Sequence, residues 1–281
     1  MRAVTKFIIT AASLSIFASI QTAAHAQEQF YPSEGDVGFT SGNEITPPVD
    51  PNDPDPNKPI RPIDPTNPNG PKPGTPGPLS VDFVSSLDFG EQEITNKDRT
   101  YYARAQRYVD TEYLSPNYVQ VTDTRGEYTG WQLLVRQTNQ FHAEKAAKYH
   151  TLTGARITLK NPESASVSDS QAPVLNPQIY LEGDNRSNVV MQASENAGIG
   201  TWVNRWGTVE WVEEKDQEDK VKEIPVIKSV ELSLPGKTPK EAVNYSTNLV
   251  WTLTSSPIDL IPVIKTNKDV SCEFHYVFLI R

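Results

Sequence analysis

Cysteine is almost missing from this 281-residue chain, with Cys272 the single example. No disulfide can form within the chain, so its stability has to come from a hydrophobic core. Histidine is nearly as scarce, at four residues. His25 lies near the start and His275 near the end, which leaves His142 and His150, too few and too loosely placed for a zinc site or a catalytic triad. Carboxylates such as Glu182, Asp184, Glu195 and Glu210 could supply a glycosidase pair, but any acidic protein offers such pairs. The expectation is a protein without catalytic activity, metal or cofactor. Bases are outnumbered, 26 Lys and Arg against 35 Asp and Glu, for a formal charge of −9. That balance argues against nucleic acid or anionic lipid as a partner held through a general basic surface.

Long apolar runs are confined to the first 26 residues. There Arg2 and Lys6 precede "FIITAASLSIFASI", and Ala24-His25-Ala26 forms a small-x-small cleavage site. This is the pattern of a secretory signal peptide, and its removal would leave 24 bases against 35 acids, a net charge of −11. No later stretch approaches the length of about 18 apolar residues that a spanning helix needs. No cysteine follows the leader's apolar run to take a lipid. "LPGKT" at 234–238 is close to the sortase signal Leu-Pro-x-Thr-Gly but ends in Lys-Thr and precedes a strand pattern. Attachment to a cell surface, if it occurs, is expected to be non-covalent.

Proline is abundant where apolar runs are not. Residues 27–45 form a short polar segment, and 46–78, "TPPVDPNDPDPNKPIRPIDPTNPNGPKPGTPGP", carry proline at nearly every second or third place. Proline fixes φ and removes a donor, so the sequence predicts an extended, disordered linker with polyproline II character. Its "DPNDPDPN" lacks the glycine turn and spacing of an EF-hand calcium loop.

From residue 79 to 257 the texture becomes globular, long enough for one domain with its own core. Short alternating apolar runs separated by Gly, Pro and Asn turns, among them "LSVDFVSSLDFG", "GWQLLVRQ", "GARITLKNP", "PQIYLEG" and "SVELSLPG", predict an all-β, antiparallel, sandwich-like domain. "FHAEKAAKYH" at 141–150 is the one helical candidate, and "EEKDQEDK" at 213–220 reads as a solvated loop. Residues 258–281 form a tail of unusual composition.

Strand alternation puts Trp131, Leu133 and Val135 on one face of "GWQLLVRQ", and Tyr245, Thr247, Leu249, Trp251 and Leu253 on one face of "YSTNLVWTL". Burying one tryptophan is worth roughly 4–6 kcal/mol at most. Two readings stay open: each Trp-x-Leu pair is core, or each is an exposed platform for sugar or protein. Trp202, Trp206 and Trp211 form a third cluster, with Trp211 out of phase with the other two and Gly207 between them.

With those residues in order, the chain resembles the WxL-domain surface proteins of low-GC Gram-positive bacteria. The resemblance rests on "LSVDFVSSLDFG", "GWQLLVRQTNQF", "LTGARITL", "ENAGIGTW" and "VELSLPGKTPKEAVNYSTNLVWTLTSSP", and covers residues 79–257. It implies a secreted protein held non-covalently on the cell wall through peptidoglycan. It implies further partners: other proteins of the same type and a membrane-anchored, wall-binding protein. The wall- or partner-binding signature then falls on Trp131, Leu133, Trp251 and Leu253, with Tyr245 upstream and Trp202 and Trp206 as accessory candidates. A different reading of the same resemblance is a protein–protein interaction module, brought to the wall by that membrane-anchored partner or serving adhesion. Such domains usually end soon after the second signature, so the 258–281 tail departs from the pattern and suggests an altered reading frame or read-through.

Overall fold

The computed structural model describes residues 34–143, 145, 147–215 and 220–255, together with the backbone of 272–280. The expected leader lies outside the described residues, as do parts of the 213–220 run and of the tail. Every described strand pair is antiparallel, and no helix occurs among the described residues.

One sheet runs β1 (Leu79–Val84), β5 (Tyr118–Asp123), β13 (Gly200–Trp206), β9 (Pro162–Ala165). A second runs β10 (Val174–Leu175), β12 (Asn188–Ala193), β6 (Trp131–Gln137), β16 (Tyr245–Thr254), β17 (Cys272–Ile280), and β7 (His142–Ala143) also pairs β16. A third runs β11 (Gln178–Leu181), β8 (Arg156–Lys160), β15 (Val221–Leu234), β14 (Glu210–Lys215), with β2 (Arg99–Arg104) also on β15. A small ribbon joins β3 (Gln106–Arg107) to β4 (Leu114–Ser115). Inward residues of all three larger sheets meet in one contiguous core that includes Val121, Trp206, Leu133, Trp251, Ile157 and Leu232. The expected all-β antiparallel class is what the chain adopts.

The Pro-rich stretch departs from its expectation as a disordered linker. It lies against the first sheet, over the face turned away from the main core. Val49 is fully buried, Pro51, Pro54 and Pro62 are buried, and a second apolar cluster joins Val49 to Phe83, Tyr108, Tyr118 and Val203. The prolines donate nothing, so the residues between them do: Ile60 N–H to the Pro48 carbonyl (2.9 Å) and Ile63 N–H to the Arg107 carbonyl (2.8 Å). Gln120 holds the segment at both ends of its amide. It accepts from Val49 N–H (2.8 Å) and donates to the Pro47 carbonyl (3.1 Å). Arg205 adds bonds to the Pro51 carbonyl and to Asn52, both 2.9 Å. The reason is physical: proline's fixed φ pre-extends the chain, so little entropy is lost when it docks on an aromatic-lined surface.

Two further expectations change. The helical candidate at 141–150 is a looped-back segment in which Ala143 N–H bonds the His150 carbonyl (2.8 Å) and Leu152 N–H bonds the Phe141 carbonyl (2.9 Å). Burial of Phe141 at 0 % exposure and pairing of β7 with β16 outweigh the local helix propensity. Glu213, Glu214 and Lys215 belong to β14 rather than to a loop. The tail contributes β17, whose backbone pairs along the whole of β16 from Tyr245↔Ile280 to Leu253↔Cys272.

Candidate functional site

The two Trp-x-Leu motifs come together. β6 and β16 are hydrogen-bonded neighbours, with Leu253 opposite Leu133 and Trp251 opposite Val135. Both strands alternate in burial as their sequences predict, and the signature faces the interior: Trp131 and Leu133 at 0 %, Trp251 and Leu253 at 2 % exposure. Trp202 and Trp206 on β13 meet them from the first sheet, and the Trp206 and Trp251 rings stand 6.3 Å apart at 49°. The platform reading therefore fails for these side chains. They are walled in by the core, and none presents a face on which a sugar or a partner protein could stack.

Each tryptophan is fixed differently. The Trp131 indole N–H donates to the Gly198 carbonyl (2.9 Å), and that of Trp202 to the Ile199 carbonyl (3.0 Å). Trp251 Nε1 is buried and finds no acceptor among the described residues. The glycine in "ENAGIGTW" explains the first contact. Gly198 has φ of +69°, and a Cβ there would lie 2.7 Å from Trp131 Nε1 and 2.6 Å from the Ala193 methyl. Only glycine brings backbone that close to the indole. Tyr245, also buried, fastens the looped-back segment: its hydroxyl donates to the Tyr149 carbonyl (2.8 Å) and accepts from Glu241 N–H (3.0 Å). "LPGKT" is likewise structural. Gly236 N–H donates to Asp98 (2.8 Å), and Thr238 Oγ1 donates to the Thr153 carbonyl (2.7 Å).

A buried polar network, not anticipated from the sequence, sits beneath the Pro-rich strap. Asp82 accepts hydrogen bonds from Ser80 (2.6 Å), Thr122 (2.5 Å) and Gln120 (2.9 Å), and Thr122 shares a further bond with Thr201 (2.9 Å). Burial pushes the Asp82 carboxyl up to about 6, against the opposing pull of its three hydrogen-bond donors. The only available hint was the charge inside the apolar alternation of "LSVDFV".

The other titratable candidates do not converge. Glu210 pairs with Lys228 (2.7 Å), Glu182 faces Arg156 (4.0 Å) and Asp184 faces Arg186 (3.6 Å), while Glu195 is exposed. The His142 and His150 rings lie 6.2 Å apart, and His142 Nδ1 contacts the Gln140 carbonyl.

Fold and site together define an all-β module organised around paired tryptophan strands. Over residues 26–257 the chain matches the sequence profile of the WxL domain, described as surface cell wall-binding, and the protein belongs to that family. It is accordingly a protein of the cell surface and cell wall. The match begins well before residue 79, where the resemblance in the sequence started, and so takes in the docked Pro-rich strap. Comparison with curated proteins and with solved structures returns no match.

Proposed function

We propose that the secreted chain attaches non-covalently to peptidoglycan through the outer surface of the domain, with no catalytic step. Family membership across 26–257 carries this reading. The buried signature is consistent with it in an indirect way: Trp131, Leu133, Trp251 and Leu253 hold the sheets in register, and the exterior of that rigid body makes the contact. No helix among the described residues is long and apolar enough to cross a membrane. In this reading residues 1–26 direct export, and other WxL-type proteins and a membrane-anchored wall-binding protein cluster with the chain on the wall.

Co-sedimentation of the purified chain 27–281 with protein-free sacculi tests the proposal. Saturable binding without any other protein is the expected result. Retention only after a membrane-anchored partner is added would replace direct attachment with recruitment, and release of soluble muropeptides would make the protein an enzyme.

A further inference from the structure

Trp211 is the tryptophan that the interior does not claim. It is 57 % exposed, whereas the other four are at most 5 % exposed. It stands on β14 directly opposite Pro225 of β15; next along the ribbon Glu213 faces Glu223, and then Lys215 faces Val221. Strand alternation collects these six residues on one face, exposed throughout except for half-buried Pro225. β2 leaves β15 at Arg104↔Val226, with a last bond from Ala105 N–H to the Pro225 carbonyl (3.1 Å), so the ribbon beyond Pro225 is a two-stranded projection among the described residues.

The opposite face of the ribbon is fastened to the body of the domain. Arg104 grips both oxygens of Glu214 (2.7 and 2.6 Å), and Lys228 holds Glu210 (2.7 Å). A lone two-stranded ribbon is marginally stable, and Glu213 and Glu223 stand directly opposite each other on it, with Lys215 the next residue along the same face. The fold thus holds out a face whose tryptophan the core does not cover.

We propose that this face is the domain's glycan contact: the Trp211 indole, extended by the Pro225 ring, stacks on the C–H face of an N-acetylated amino sugar in the murein strand. Glu213 and Glu223 accept hydrogen bonds from hydroxyl and amide N–H groups of the adjoining sugar. Positions two apart on a strand are about 6.6 Å apart and cross-strand partners about 5 Å apart, so aromatic and carboxylates reach neighbouring parts of one saccharide unit. Charge selects the occupant. Two carboxylates against one lysine, on a secreted chain with 24 bases against 35 acids (net −11), disfavour phosphate-bearing wall polymers and accept a neutral, donor-rich glycan. The inference rests on the wall-binding reading above and assigns it a surface.

The test uses the 27–281 chain with Trp211→Ala, Trp211→Phe and Glu213→Gln/Glu223→Gln, titrated against purified sacculi and against chitohexaose, a peptide-free amino-sugar probe. Trp211→Ala is expected to weaken both interactions about tenfold or more, with Trp211→Phe intermediate and the urea midpoint unchanged. The double glutamine variant should lower glycan affinity without lowering the urea midpoint; a merely structural role would lower the two together. Sacculus binding by Trp211→Ala equal to that of the parent chain overturns the site and leaves wall binding standing. Binding to sacculi with indifference to chitohexaose overturns the glycan as occupant in favour of stem peptide. A parent chain that ignores sacculi removes the wall-binding reading and this proposal with it.

Discussion

The two signature tryptophans occupy equivalent-looking positions and yet should respond differently to the same substitution. Trp→Phe removes the outer ring of a buried indole, at a transfer and cavity cost of about 1–2 kcal/mol. At Trp131 the change also deprives the Gly198 carbonyl of its 2.9 Å donor. Stranding such a group adds about 1–3 kcal/mol, so Trp131→Phe should lose about 2–5 kcal/mol. At Trp251 the indole N–H has no acceptor among the described residues, and removing it relieves a penalty of the same ~1–3 kcal/mol. Trp251→Phe should therefore fall between about 1 kcal/mol less and about 2 kcal/mol more stable than the parent. Urea denaturation reads the difference directly: with a slope of about 2–3 kcal/mol per molar, the two midpoints should separate by roughly 1 M. Equal shifts, or a larger loss at Trp251, would refute the claim that the indole N–H of Trp131 is what distinguishes the two motifs.

Other perturbations probe other parts of the fold. The Asp82 carboxyl is raised by burial from 3.8 to about 6, so the folded state holds a proton that the unfolded chain releases. Its contribution is full below pH ~4 and is lost as pH rises through ~6, a swing of about 3 kcal/mol at most. Asp82→Asn should flatten that part of the stability profile, and urea melts at pH 4.5 and 7.5 would show whether it does. Gln120→Leu removes the acceptor of Val49 N–H and the donor to Pro47; proteases should then cut within 46–78 well before the domain body is lost. A chain ended at Pro257 leaves the outer backbone edge of β16 unpaired where β17 otherwise lies. Light scattering should report concentration-dependent association of that chain, since open strand edges recruit other strands, whereas a monomer at every concentration would deny the edge that role.

Much of this architecture could be read from local pattern. "YSTNLVWTLT" and "WQLLVRQ" alternate, and their burial in the structure follows the same period of two. Glycine ahead of "WQLLVRQ" marks the turn into that strand. The failures also share a cause. "FHAEKAAKYH" has helical composition, but Phe141 is drawn into the core and the segment's backbone pairs with β16, contacts made by residues far away in the chain. The Pro-rich stretch was legible as extended and illegible as docked, because its dock is an apolar surface built from Phe83, Tyr108, Tyr118 and Val203. Composition reports what a segment cannot do alone; it is silent about a surface assembled elsewhere.

The sequence by itself determined the all-β class, the strand phases and the family, because alternation and turn residues act over a few neighbours and survive any tertiary arrangement. Which tryptophans face inward was decided only when three sheets closed on one core. A strand's pleat makes two faces, and nothing local says which of them another sheet will cover. For that reason Trp131 and Trp251 became interior props while Trp211, on a ribbon that outruns its neighbours, kept its ring in solvent.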